Sequence, residues 1–223
     1  MYKLPFKDCT LEDYPQGNVT QWFGENVKLY KSRLGLAGHN GIDLVNSYGT
    51  PILAVSKQKV CEVKNSPEGY GRHVRCIDDK YEYTYGHLSR IDVKIGQKLK
   101  AGQQLGLMGN SGFVVSGSTP FWEFNPFAGT HLHFGIRKFK PYSGSGSYNI
   151  QYQSKDKGTI LGYTNGYKGS VDPMDELWSQ TIDAIDKEIK TIQLSIISLL
   201  NQIIALLERL KVLQARKEPV NMV

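Results

Sequence analysis

The C-terminal end of the chain carries an apolar repeat that leaves little choice of local structure. Apolar residues recur at 182, 185, 189, 192, 196, 199, 203, 206, 210 and 213, three and four apart in turn. Held over about five heptads, that spacing predicts one long helix with the seam of a left-handed coiled coil. Ile182, Ile189, Ile196, Ile203 and Leu210 take one seam position, and Ile185, Ile192, Leu199, Leu206 and Leu213 the other. Asp172 and Pro173 supply an N-cap and a first-turn proline, and Pro219 supplies a stop, so the helix is placed at 173–217. Such a helix spans roughly 60 Å, too long for a domain of about 140 residues to cover its seam. Self-association through 178–213 is expected. Isoleucine at both seam positions, with Ile197, Leu200, Ile204 and Leu207 widening the stripe, favours a homo-oligomer of three or more chains. The stretch from Thr191 to Leu207 is uncharged, but Gln193, Ser195, Ser198, Asn201 and Gln202 punctuate it and Glu208 and Arg209 follow. A membrane span is therefore not expected.

Residues 1–140 read differently. Short alternating runs such as 59–63, 72–77 and 81–85 are separated by clusters of glycine, proline and asparagine. This predicts a mainly β domain, an antiparallel sheet or barrel-like fold. Residues 141–172 hold few aliphatic side chains and read as a long loop returning over that domain, or as a linker. With 40% hydrophobic residues a core is affordable, which excludes a disordered chain. The net charge of +6 suits an anionic polymer, either nucleic acid or cell wall. The basic residues are dispersed and no nucleic-acid motif accompanies them, so nucleic-acid binding is not expected. Cys61 and Cys76 flank a turn at 65–71 and could face each other in a hairpin; two buried thiols are the default over a disulfide. The N-terminal segment lacks the apolar run of a signal peptide.

Four of the five histidines stand in suggestive places. His39 and Asp43 lie in a loop that Gly38 and Gly41 keep from being helical, so a turn into a strand can bring both to one point. His131 and His133 alternate with Leu132, Phe134 and Ile136. In a strand the two imidazoles then share one face and the three apolar side chains the buried one. A metal or a proton-transfer pair would explain that pairing. His87 ends the run Tyr83-Thr84-Tyr85-Gly86-His87, at a rim where loops build sites. His73 has no partner pattern and reads as a surface residue.

Together these motifs resemble the lysostaphin/LytM-type zinc endopeptidases that cut peptidoglycan cross-bridges. The first motif is Gly38-His39-Asn40-Gly41-Ile42-Asp43, the second Tyr85-Gly86-His87-Leu88, and the last Thr130-His131-Leu132-His133-Phe134. The glycine-punctuated segment from 96 to 112 and the stretches 20–24 and 49–54 add to the likeness, which covers about 17–140. The resemblance implies one Zn2+ per chain, held by His39, Asp43 and His133, with a fourth tetrahedral position open. It implies His131 and His87 as catalytic histidines, His131 as the base and His87 at the oxyanion or leaving amine. It implies bacterial peptidoglycan as the substrate. Relatives differ in the bond they cut, between glycine bridges and bonds to D-alanine or diaminopimelate. Candidate substrate contacts are Asn40, Tyr85, Phe121 and Trp122, the last two in a stretch, 113–129, that is longer than in the family and also holds Phe124 and Phe127. Tyr30 is a further candidate beside the oxyanion. A phage lysin, a virion-associated wall hydrolase and a bacterial protein exported by another route all fit. A non-catalytic scaffold that retains the fold is the alternative.

Overall fold

The computed structural model describes residues 2–116, 119–120, 125–144, 148–153 and 156–215, with side chains described except at 115, 116, 119, 120, 180–186 and 215. They fall into two compact units that divide between Trp178 and Ser179.

The first unit is built on an antiparallel sheet. Its path runs Val19–Gln21, Ile42–Leu44, Leu132–Pro141, Tyr81–Leu88, Gly71–Ile77, Gln58–Ser66 and Lys98–Leu99. The barrel-like expectation is corrected here. The path is open, with Val19–Gln21 and Lys98–Leu99 as its ends among the described residues. Closure is unnecessary because a second, three-stranded sheet of Pro51–Leu53, Gln104–Leu107 and Arg90–Ile91 contributes to the same core. Its Ile52 and Leu105 pack in one cluster with Ile42, Tyr85, Leu132 and Phe134, all fully buried. The apolar face is thus covered by a layer rather than by rolling the sheet on itself.

The strand Leu132–Pro141 organises the site. Leu132, Phe134 and Ile136 point into the core as their alternation predicts. Its neighbours are Ile42–Leu44 on one side and Tyr81–Leu88 on the other, both antiparallel. Beyond position 141 the chain returns. Lys157–Ile160 and Ser170–Val171 both pair with the far end of the same strand. Ile160, Tyr152, Phe139, Ile77 and Cys61 form a second, smaller cluster there.

The three cysteines are free and buried. A bulge between Val60 and Glu62 sets Cys61 out of register, and Cys76 pairs with Val60 instead. Cys76 therefore joins the main core and Cys61 the smaller cluster. His73 is not the surface residue its sequence context predicts. It is buried, with Nδ1 donating to the Gly71 carbonyl at 2.9 Å and Nε2 against Glu62 at 3.3 Å.

The start of the C-terminal helix is capped as expected, Asp172 Oδ1 accepting from the Met174 amide at 2.8 Å. Met174–Trp178 form a wide π-helical turn that buries Leu177 and Trp178. The second unit is the α-helix Ser179–Ala215, 37 residues long. Every described side chain from 187 to 214 is exposed. The seam residues from Ile189 to Leu213 stand about half exposed; Ile182 and Ile185 lie outside the described side chains. By length and composition alone, Lys187–Gln214 is long and apolar enough to cross a membrane.

Candidate metal centre

Sheet register brings the first and last motifs together. His133 pairs directly with Asp43 on one side and with Gly86 on the other. The carboxylate from one strand and the imidazole from the next then meet across a single row. His39 enters from the loop before Ile42–Leu44, its backbone N–H bonded to the Glu25 carbonyl and its carbonyl accepting from Gly24. Two glycines permit this approach. A Cβ at Gly38 would stand 2.2 Å from the Gly24 carbonyl oxygen, and one at Gly41 would stand 2.8 Å from His133 Cε1.

Three ligand-type atoms converge. His39 Nε2 lies 2.9 Å from His133 Nδ1 and 3.1 Å from Asp43 Oδ1, and His133 Nδ1 lies 3.1 Å from the same oxygen. All three residues are buried. Donation from His39 Nδ1 to the Trp22 carbonyl at 3.1 Å fixes its tautomer and turns the Nε2 lone pair inward. The carboxylate is ionised. Burial alone would raise Asp43, but His39, His131 and His133 outweigh it and hold the carboxyl well below its usual range. Burial pushes His133 down to about 4, so its ring is neutral near pH 7. Two imidazoles and a carboxylate, aimed at one point, are the donor set of a zinc site. Ligands about 2.0–2.1 Å from a tetrahedral ion lie roughly 3.3 Å apart, close to the separations found here. The residues present fit the metal.

Two more imidazoles flank the triad. His131 Nδ1 donates to the Gly129 carbonyl at 2.8 Å, which turns Nε2 toward the site, 3.6 Å from Asp43 Oδ2. His87 Nδ1 donates to the Ser111 carbonyl at 2.7 Å, and its ring centroid lies 4.6 Å from that of His131. Burial, followed by the repulsion that a proton on His131 or His133 would exert, holds His87 well below its ordinary value. His87 adopts a left-handed backbone conformation, φ 60°, the kind of cost that functional sites carry. Its carbonyl partner sits in the 109–112 turn, where Gly71 and Gly112 pack backbone to backbone too closely for any Cβ. The glycine-punctuated segment thus has a structural task here, which is to aim His87.

The site opens on a groove of about 680 Å3, lined among others by Asn40, Asp43, His87, His131 and His133. Asn40 is there as expected, its Nδ2 donating to the Tyr70 hydroxyl at 2.7 Å. Tyr85 is not. It lies in the core with Tyr83, its hydroxyl accepting from the Val55 amide and donating to Gln58 Oε1; alternation alone would put His87 on that same face, and the left-handed backbone at His87, with a break in register against Gly71–Ile77, turns His87 to the groove instead. Tyr85 cannot contact a substrate. Phe121, Trp122 and Phe124 lie outside the described residues. From the same insertion, Phe113 lines the groove while Phe127 packs edge-on against Tyr48. Tyr30 lies beside His39, ring centroids 5.2 Å apart. Sequence reasoning missed Tyr70, which stacks on His133 at 4.8 Å. Its only trace is an aromatic within a predicted turn. The backbone carbonyls of Trp22, Ser111 and Gly129, which orient three histidines, leave no sequence signal.

The family model described as peptidase family M23 matches residues 37–149, just over half of the chain. The chain belongs to peptidase family M23. Glycyl-glycine endopeptidase ALE-1 of Staphylococcus capitis is 29% identical over 139 residues, 60% of this chain and 36% of that protein. The peptidoglycan DD-endopeptidase ShyA of Vibrio cholerae is 35% identical over 101 residues, 45% of this chain and 20% of that protein. The chain thus spans about a third and a fifth of the length of these relatives. The solved catalytic domain of lysostaphin from Staphylococcus simulans is 27% identical, aligning 66% of this chain with 85% of that one at a TM-score of 0.44. All three motifs of this M23 chain, from His39 to His133, fall within the matched residues.

Proposed function

We propose that this M23 chain is a zinc-dependent endopeptidase that hydrolyses peptide bonds of bacterial peptidoglycan. The observation that carries the reading is the convergence of His39, Asp43 and His133 at about 3 Å, with two further imidazoles beside them at the wall of a groove. A zinc ion held by those three residues supplies Lewis acidity, acidifying water and polarising a peptide carbonyl. His131 takes a proton at Nε2, a role supported by the bond of its Nδ1 to the Gly129 carbonyl. His87 presents the same atom from a drier position, since Ser111 occupies its Nδ1. Having received a proton, either imidazole can return it to a leaving amine. Tyr70 holds the His133 ring by stacking and engages Asn40, which stiffens the ligand against reorientation.

The names of the two curated relatives support the substrate class, and they name different bonds. The protein then works where wall is found, outside the cytoplasmic membrane or on a virion. The seam of the C-terminal helix pairs with copies of itself in a homo-oligomer of three or more chains, which multiplies engagement with a polymeric substrate. The test is turbidity loss of purified walls, with zinc content measured in parallel. Chelation abolishes lysis, added zinc restores it, and His131→Ala lowers the rate roughly 10²–10⁴-fold with zinc still bound. Stoichiometric zinc without hydrolysis of any wall would leave the scaffold reading in its place.

A further inference from the structure

The metal centre occupies one end of a longer floor. On the strand Leu132–Pro141, His133, Gly135 and Arg137 share a face, and all three line the groove. The next row across the sheet runs Gly135, Thr84, Arg75 and Glu62 by direct pairing. At Gly135 a side chain would be crowded, since a Cβ there would stand 3.2 Å from the Asn40 carbonyl oxygen and 3.3 Å from His133 Nε2. The floor between the metal ligands and the two arginines is therefore a shallow trough. Sheet spacings put the Cα of Arg75 roughly 12 Å from that of His133.

The two guanidiniums are not equivalent. Arg137 is used internally, its Nε and Nη2 each 2.6 Å from the oxygens of fully buried Glu82. Tyr152 donates a hydrogen bond to the same carboxylate. Arg75 is left over. Its Nε has no hydrogen-bond partner among the described residues, and the nearest carboxylate, Glu62, lies 3.7 Å away and is engaged by His73. Its side chain keeps 23% exposure, so the Nη end is the reachable part. Its charge is steadied by Glu82 and by the face of Tyr70, 6.0 Å away. A guanidinium on a groove floor whose Nε has no hydrogen-bond partner among the described residues is a donor awaiting an acceptor. The groove as a whole favours an anion: Arg33, Arg75, Arg137 and Lys168 line it against Asp43 and Glu68, and Asp43 belongs to the metal set.

We propose that Arg75 forms an anion subsite that takes a carboxylate of the peptide substrate, end-on through its Nη groups. This rests on the reading that the groove binds a wall peptide, and it narrows that reading. The preferred substrate is an anionic stem peptide rather than a neutral glycine bridge. Two carboxylates of a stem could supply the acceptor, the free α-carboxylate of an isoglutamate and the C-terminal carboxylate.

The test uses the full-length, zinc-loaded protein and a synthetic stem tetrapeptide of alanine, isoglutamate, lysine and D-alanine. Three amidated versions are made, blocking the isoglutamate carboxylate, the C-terminal one, or both, and affinities are measured by calorimetry. The acid peptide is expected to bind roughly 10- to 100-fold more tightly than the doubly amidated one, and the single amides tell which carboxylate is read. Arg75→Gln should erase that preference while leaving the affinity for the doubly amidated peptide unchanged. Arg75→Lys, which retains the charge and guards against a folding defect, should keep part of it. Equal binding of acid and amide by the unaltered protein overturns the proposal, as does a preference that survives Arg75→Gln or an absence of binding to all four peptides. Wall hydrolysis without a carboxylate preference removes the subsite and leaves the peptidase. A carboxylate preference lost in Arg75→Gln without any hydrolysis retains the subsite and removes the peptidase.

Discussion

The β unit and the C-terminal helix solve the problem of apolar surface in opposite ways. In the β unit Ile42, Leu44, Tyr85, Leu132 and Phe134 are fully buried, and the polar groups on the other face of the same strands meet specific partners. In the helix Ile189 to Leu213 remain about half exposed although their pattern is the more regular. Regularity is a local property, and burial is not. A sheet assembles its partners from distant parts of one chain, whereas a heptad seam needs a second helix to complete it. Function divides along the same line: the groups proposed for chemistry all lie in the β unit, and the helix is proposed to set how many such units act together.

That division can be broken by experiment. The largest effect belongs to Asp43→Ala. It removes the carboxylate shared by three histidines, so zinc binding is lost and wall hydrolysis falls at least roughly 10³-fold. Elemental analysis and wall turbidity check this, and the helical content is expected to be unchanged. Retained zinc in that variant would show that the triad is not the metal site.

A smaller effect is the acid response of the metal-free β unit. His133 and His87 have depressed values when folded, so as pH falls below the ordinary imidazole range near 6.5 the unfolded chain binds protons that the folded chain does not, for His133 over a window that reaches about 4. Their stability contribution is complete above pH 6.5 and is lost as pH falls through that window. For His133, which is buried, the loss amounts to about 3 kcal/mol. Urea unfolding of chelated protein at pH 7.5 and 4.5 measures it, and His133→Asn should flatten the difference.

Seam disruption sharpens the contrast from the other side. Ile196→Asp with Ile203→Asp is expected to turn an oligomer into monomers, seen by light scattering. Hydrolysis of a soluble peptide should not change, and action on intact walls should fall by up to roughly 100-fold as avidity is lost. Equal loss on both substrates would tie the helix to the chemistry after all.

How much was legible depended on how local the signal was. The strand carrying His131 and His133 was readable because alternation places side chains without reference to any other part of the chain. The glycines around His39 excluded a helix on the same footing. The expectation for Tyr85 fails because alternation groups it with His87, and the left-handed backbone at His87 separates the two and leaves Tyr85 in the core. His73 went wrong because a buried histidine needs a remote carboxylate, and Glu62 lies across a hairpin with a bulge in it. Barrel closure was not foreseeable either way, since it depended on whether the segments around Ile52 and Leu105 would form a covering layer.

By itself, then, the sequence determined the helix, the alternation of the strands and the identity of the side chains able to hold a metal. These follow from spacing along the chain and from the chemistry of single residues. Only the tertiary structure decided that Asp43 and His133 share a row. The same holds for the turning of three imidazoles by the carbonyls of Trp22, Ser111 and Gly129, and for Arg75 Nε having no hydrogen-bond partner among the described residues. Backbone carbonyls are common to every residue, and register is set by the whole sheet, so neither leaves a mark in the order of amino acids.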